Sequence, residues 1–243
     1  MRAAAVVLVL GAASSPAHAD VRAFTHTYEY STVPEGRTTF EIWHTQGRTT
    51  WDTASPQFFE HILEIEHGIT EHWDMGFQTI GSQVAGDATT EKGFTMDAVR
   101  LESRYRFADR GEWPVDTQLQ LAVAKQFGAS IYAIEGRVVV ARDFDKLTAA
   151  ANASIAVAFG NDQDDTLVTT GWAGGVTYTA HPKVRIGAET WGARVVEGGL
   201  DVSAGPAVNL SPASNFWLTI TGGFGITDEA DAFAARAIVG IEL

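Results

Sequence analysis

The stretch from Phe58 to Ile80, FFEHILEIEHGITEHWDMGFQTI, constrains the fold more than any other part of the chain. Phe59, Leu63 and Ile65 fall on one set of alternate positions, with Glu60, Glu64 and Glu66 between them. A period of two sends one set to each face of a β-strand. The chain then reverses over Gly68-Ile69-Thr70-Glu71 and begins to alternate again. What these strands can do depends on whether the apolar face meets a protein core or a lipid bilayer.

The same unit recurs along the chain, while a 3.6-residue period is almost absent. It predicts strands over 38–46, 58–68, 72–81, 95–107, 115–127, 131–142, 147–159, 167–179, 183–194, 200–210, 214–225 and 232–243. Twelve runs of this length, separated by turns, are the signature of an all-β, closed antiparallel up-and-down transmembrane barrel. Connections on one side are expected at Thr70-Glu71, Ala108 to Pro114, Asp143 to Lys146, Ala180-His181-Pro182 and Ser211-Pro212-Ala213. Most of those on the other side are longer, as when both termini face the periplasm. The short Gly128–Ser130 connection and the long Ala108–Pro114 one break that rule. An extended piece, FTHTYEYS at 24–31, precedes a turn at Val33-Pro34-Glu35-Gly36. It is expected as a periplasmic lead-in or a rim strand, or as a plug if it enters the lumen.

The first nineteen residues, MRAAAVVLVLGAASSPAHA, place Arg2 before an apolar run and end in Ala17-His18-Ala19. That is the layout of a secretory signal with an A-x-A cleavage site, and the run is too short to span a bilayer as a helix. The chain therefore divides into a signal at 1–19, a periplasmic or rim segment at 20–36 and a barrel at 37–243. It has no cysteine, so burial and backbone hydrogen bonds alone must hold it together. A net charge of -13 argues against nucleic acid as a partner. No later segment is apolar enough for a transmembrane helix, which leaves a barrel open.

Sorting by face separates Val99, Leu101, Tyr105 and Phe107 from Arg100, Glu102, Arg104 and Arg106, and Leu119, Leu121 and Val123 from Gln118 and Gln120. The polar face is rich in Gly, Ala, Ser, Thr, Asn and Gln with arginines and glutamates, and lysine is scarce. Small residues and paired charges suit the inside of a narrow barrel. Trp73, Phe107, Tyr132, Tyr178 and Phe216 stand near strand ends on the apolar face, where an interfacial girdle would lie.

With these residues in view, the chain resembles Gram-negative outer-membrane β-barrel proteins. The resemblance rests on the signal, on LEIEHGITEHWDMGFQ, and on the last strand, FAARAIVGIEL. The middle element is similar to YGLTDRLEL, which recurs in uncharacterised, transporter-like barrels. The last resembles the C-terminal strand read by the barrel-insertion machinery, with Val239, Ile241 and Leu243 alternating and Leu243 where an aromatic residue is usual. The resemblance implies outer-membrane lipid and that machinery as partners.

Candidate chemistry lies on the inward face. Glu41, Glu64, Glu66, Arg100, Glu102, Arg104, Glu135, Arg137, Arg185, Glu189 and Arg236, with Glu60, Asp74 and Arg106 beside them, are expected to share one lumen. Charges in a confined space must pair, so this set is either a charged constriction for small solutes or a structural network. His61 and His67 share a strand face about 20 Å apart, too far for one metal ion. Glu64 and Glu66 lack a third ligand, and Asn161-Asp162-Gln163-Asp164-Asp165 lacks calcium-loop spacing, so no metal or other cofactor is expected. Ser82, Ser103, Ser130 and Ser154 have no histidine on a shared rim, and G-x-S-x-G is absent, so no catalysis is expected. The leading expectation is a narrow channel or transporter-like barrel for small solutes with an Arg/Glu lumen. A non-conducting structural barrel and a soluble secreted β-barrel binder are the alternatives.

Overall fold

The computed structural model describes residues 22–52, 54–86, 91–162, 166–196 and 198–243. The expected signal, 1–19, lies outside the described residues, as do Gln163, Asp164 and Asp165 of the acidic loop. Twelve strands follow one another: β1 (Thr38–Arg48), β2 (Gln57–Thr70), β3 (Trp73–Ala85), β4 (Lys92–Arg106), β5 (Asp116–Gln126), β6 (Ile131–Phe144), β7 (Leu147–Gly160), β8 (Leu167–His181), β9 (Val184–Val195), β10 (Leu200–Ala213), β11 (Phe216–Gly225) and β12 (Phe233–Glu242). Each pairs antiparallel with its neighbour in sequence, and β1 closes on β12 from Thr39 opposite Glu242 to Arg48 opposite Phe233. Leu243 N donates to the Thr38 carbonyl at 2.9 Å and completes the seam. Closure matters because hydrocarbon offers no partner for an unpaired sheet edge.

The alternation seen in the sequence becomes an inside and an outside. On β5, Leu121 is 54% exposed while the adjacent Gln120 is 1% exposed. Leu63, Leu101, Ile134, Ile155, Val176 and Ile186 are likewise exposed. An apolar belt of that extent on a water-soluble protein would drive aggregation. Acyl chains solvate it, and the protein is an outer-membrane barrel. Trp73, Tyr105, Phe144 and Tyr178 are exposed near one end of the belt, and Phe94, Tyr132, Phe159 and Phe224 near the other. Trp73 Nε1 donates to Ser103 Oγ at 2.8 Å, an aromatic ring with its polar edge satisfied at the membrane surface. The two-residue connections 71–72, 145–146, 182–183 and 214–215 lie at the end that bears β1's start and β12's finish. That end is periplasmic.

Twelve strands spaced about 4.8 Å apart and tilted about 40° enclose a cylinder of about 12 Å backbone radius. Wall side chains alone do not fill such a bore, and the segment before β1 enters it. Of the placements left open for that segment, periplasmic side, rim or lumen, the structure has the last: residues 22–34 run inside the barrel, not at its periplasmic side or rim, and Phe24 and Tyr30 are fully buried. It adds no strand to the wall, because wall side chains rather than another backbone accept its N–H groups. A single isolated bridge, Glu35 to Gly68, marks where it turns out of the lumen into β1. A Cβ on Gly68 would lie 2.0 Å from the Pro34 carbonyl oxygen, so only glycine lets the chain pass over β2 there.

The inward face departs from expectation in a second way. Trp43 and Trp217 are 4% and 2% exposed and point into the lumen with Ile62 and Ile238, where only small and charged groups were expected. A lumen of this radius has room for large side chains wherever facing residues are small.

Replacing Leu121 by Arg places a charge in hydrocarbon and is expected to lower stability by about 2–4 kcal/mol. Equilibrium unfolding in lipid vesicles measures this. A change near zero would mean that the outward face is solvated by water.

Candidate functional site

The charged side chains concentrate on one half of the wall, β1 to β6, and the register explains why they meet. Glu41 stands opposite Glu64, Glu64 opposite Gln78, and Gln78 opposite Arg100. One step along, Glu66, Gly76, Glu102, Ala122 and Glu135 form the next rung, and Asp74, Arg104, Gln120 and Arg137 the one nearer the periplasm. Neighbouring rungs bring acids and arginines within reach of one another.

Arg104 is the hub. Its Nε and Nη2 donate to the two oxygens of Asp74 at 2.9 and 2.7 Å, and Nη2 reaches Glu66 Oε1 at 2.7 Å. Arg100 Nη1 donates to Glu135 Oε2 at 2.8 Å, and its Nε lies 3.3 Å from Glu102 Oε2. Arg137 Nη2 donates to Glu135 Oε1 at 2.6 Å and Nη1 to Gln120 Oε1 at 3.2 Å. Gln120 Nε2 in turn donates to Glu102 Oε2 at 2.8 Å. Fork-shaped guanidinium pairs of this kind are the strongest hydrogen bonds available to a buried carboxylate.

The fourth cation comes from outside the wall. Arg22, at the far end of the luminal segment, lies 3.3 Å from Glu41 and 3.9 Å from both Glu64 and Glu66. Sequence reasoning missed it, because nothing in the local pattern around Arg22 marks an inward residue. It also left Glu64 and Glu66 without a third acid. Glu64, Glu66 and Glu102 each bring an oxygen to within 4.8 Å of the others. Arg22, Arg100 and Arg104 face that trio.

The opposite half of the wall is built mostly of small and neutral residues, with Arg185 and Glu189 as charged exceptions, and side chains from both halves grip the segment. Both oxygens of Glu189 accept from the segment: Thr25 N and Oγ1 donate to Oε1, and His26 N and Thr27 N to Oε2, all at 2.9 Å. Asn152 takes both backbone groups of Tyr28, accepting from its N–H at 2.6 Å and donating to its carbonyl at 2.8 Å. Gln118 accepts from Ser31 N at 3.0 Å and Asp74 from Val33 N at 2.7 Å. A buried irregular chain has no ladder to satisfy its N–H groups, and four wall side chains supply acceptors instead. Phe24 seats against Gly175, where a Cβ would approach the ring to 2.4 Å.

The expected charged set thus separates into three groups. Glu41, Glu64, Glu66, Arg100, Glu102, Arg104, Glu135 and Arg137 form the ion-pair cluster. Glu189 holds the segment's backbone, and Arg185 pairs with Glu29 of the segment at 3.7 Å. Arg236 lies higher, bonded to Thr45 Oγ1 at 2.8 Å and Glu60 at 3.1 Å. Around and above it a vestibule of about 360 Å³ opens toward the outer end. Its walls include Trp43, Arg100, Arg137 and Asp201, and Thr25, His26 and Tyr28 form its floor. His26 lies flat on Trp191, ring centroids 3.8 Å apart. His61 faces outward, its Nδ1 3.3 Å from that of His44 on the neighbouring strand.

Solved structures with this wall are outer-membrane barrels. NanC porin superposes with a TM-score of 0.60 at 10% identity, covering 85% of this chain and 100% of that one. The fold is that of an outer-membrane porin barrel. KdgM porin in complex with disordered oligogalacturonate gives 0.57 at 10% identity, covering 84% and 97%. The translocator domain of the autotransporter NalP from Neisseria meningitidis gives 0.50 at 10% identity, covering 84% and 87%. No protein-family model and no curated sequence matches the chain.

Arg104→Met leaves Asp74 and Glu66 buried beside no fork donor and is expected to cost about 3–5 kcal/mol. Arg236→Met, whose partner Glu60 is partly exposed, is expected to cost about 1 kcal/mol or less. Unfolding of both variants in vesicles tests the ranking, and equal costs would contradict the buried cluster.

Proposed function

We propose that the barrel is a narrow outer-membrane channel for small solutes, and that its Arg/Glu cluster forms the constriction that selects them. The observation that carries this reading is a vestibule of about 360 Å³, lined by Trp43, Trp172 and Trp191 as well as Glu60, Arg100, Arg137 and Arg236, that reaches the charged rungs of β1 to β6. A ring of fixed charges at the narrowest point is how pores discriminate among ions and small polar molecules. The likeness to porins supports the same class. The oligogalacturonate of one of those porins does not carry over, because acids outnumber arginines in this cluster.

A second reading has its own observation. Residues 22–34 occupy the periplasmic half of the lumen, held by hydrogen bonds to Glu189, Asn152, Gln118 and Asp74 and, at the Arg22 carbonyl, to Asn209 and Thr219. A barrel so filled fits a non-conducting structural protein. Single-channel recording in planar bilayers separates the two, using the whole chain and a variant lacking residues 22–34. The channel reading expects discrete conductance steps, roughly tenfold larger once the segment is gone. Silence from both proteins, each shown folded by a heat-modifiability gel, would leave only the structural barrel.

A further inference from the structure

Arg22 occupies its pocket as a ligand occupies a site. Its guanidinium carbon lies 4.6 Å from the Trp43 ring centroid and 5.0 Å from that of Tyr28. Three carboxylates surround it, and each has one oxygen fixed by the barrel wall and the other turned to the guanidinium. Glu41 Oε2 accepts from Trp43 Nε1 at 2.7 Å, Glu64 Oε1 from Gln78 Nε2 at 2.8 Å, and Glu66 Oε2 from Thr39 Oγ1 at 3.1 Å. The other oxygens, Glu41 Oε1, Glu64 Oε2 and Glu66 Oε1, face Arg22, and Glu66 Oε1 is shared with Arg104 Nη2 at 2.7 Å. Glu64 Oε2 is buried and accepts no hydrogen bond of its own. An aromatic face combined with prepositioned carboxylate oxygens recognises a planar organic cation.

Every one of these groups except Tyr28 belongs to the wall and stays in place if the segment withdraws. The wall cluster then holds six acids, Glu41, Glu64, Glu66, Asp74, Glu102 and Glu135, against three arginines, Arg100, Arg104 and Arg137. Such a surplus of buried negative charge is costly without a counter-cation. Arg22 is a cation on a tether that ends at β1.

We propose that this pocket is a binding site for small organic cations of the guanidinium class, that these are the solutes the channel passes, and that Arg22 fills the site until residues 22–34 withdraw. The proposal rests on the channel reading above and names its substrate class. It makes the segment an autoinhibitory one, with Arg22 as its ligand mimic.

Two measurements on folded protein test it. In the full chain, Arg22→Ala is expected to lower the temperature at which the barrel unfolds on a heat-modifiability gel. Low-millimolar guanidinium chloride should restore part of that loss, whereas equimolar potassium chloride should not. Guanidinium ordinarily weakens folded proteins, so stabilisation is the informative sign. In bilayers, the variant lacking residues 22–34 should prefer cations to chloride by roughly threefold or more, and Glu64→Gln in that background should reduce the preference. Absence of rescue beyond that by potassium overturns the proposal, as does a deletion variant that conducts without preference for cations; in both cases the channel reading stands. A deletion variant that is folded but silent removes the channel reading and the proposal together.

Discussion

A sheet closed in lipid can leave no charge unpaired and no backbone group unbonded, and the rest of this structure follows from that demand. Outside, the strands meet it with aliphatic side chains and rim aromatics. Inside, twelve strands enclose more space than their own side chains fill. The interior is then either water or more protein, and this chain uses both. Water has access to the outer half, where the vestibule opens. The periplasmic half is taken by the chain's own residues 22–34, whose peptide groups are satisfied one by one from Glu189, Asn152, Gln118 and Asp74.

The two halves of the wall divide the work. From β1 to β6 the inward positions carry the acids and arginines, linked rung to rung through Arg104, Arg100 and Arg137. From β7 to β11 they are mainly Asn, Thr, Gly and Ala, with Arg185, Trp191, Asp201 and Trp217 among them, and they give the segment room and hydrogen bonds. Glu189 is the telling residue. It sits on the neutral side with no arginine among its hydrogen-bond partners, and its carboxylate instead gathers three consecutive N–H groups and two hydroxyls, those of Thr25 and Thr221. Its role is to anchor a chain, and the charge it brings is spread over five donors.

Much of this was legible in the sequence. Period-two alternation located all twelve strands and their faces, because in a barrel each residue's environment is set by its own parity. Turn lengths gave the orientation for the same local reason. The segment at 24–31 was recognised as extended, but its place was not, because Phe24 is held by Gly175 and Thr25 by Glu189, partners more than a hundred residues away. The inward places of Trp43 and Trp217 were not anticipated. Trp217 fits because Gly240 stands opposite it, and Trp43 because Ile62 and Ile238 flank it in an apolar cluster, and both are properties of register, not of the run in which the tryptophan lies. Arg22 stayed hidden for both reasons.

Because the chain lacks cysteine, spin labels can be attached at single introduced cysteines without background. The most direct test is the accessibility of such labels to oxygen and to a water-soluble relaxer, along 116–126 and along 24–31, in reconstituted bilayers. Along β5, oxygen accessibility should rise and fall with period two, high at Leu119, Leu121 and Val123. Along 24–31 oxygen should be excluded throughout, and the aqueous reagent everywhere but at Thr25, His26 and Tyr28, which form the floor of the vestibule. Free access of the aqueous reagent to the rest of 24–31, or no alternation along β5, would contradict a lipid-solvated cylinder closed from within by its own N-terminal segment.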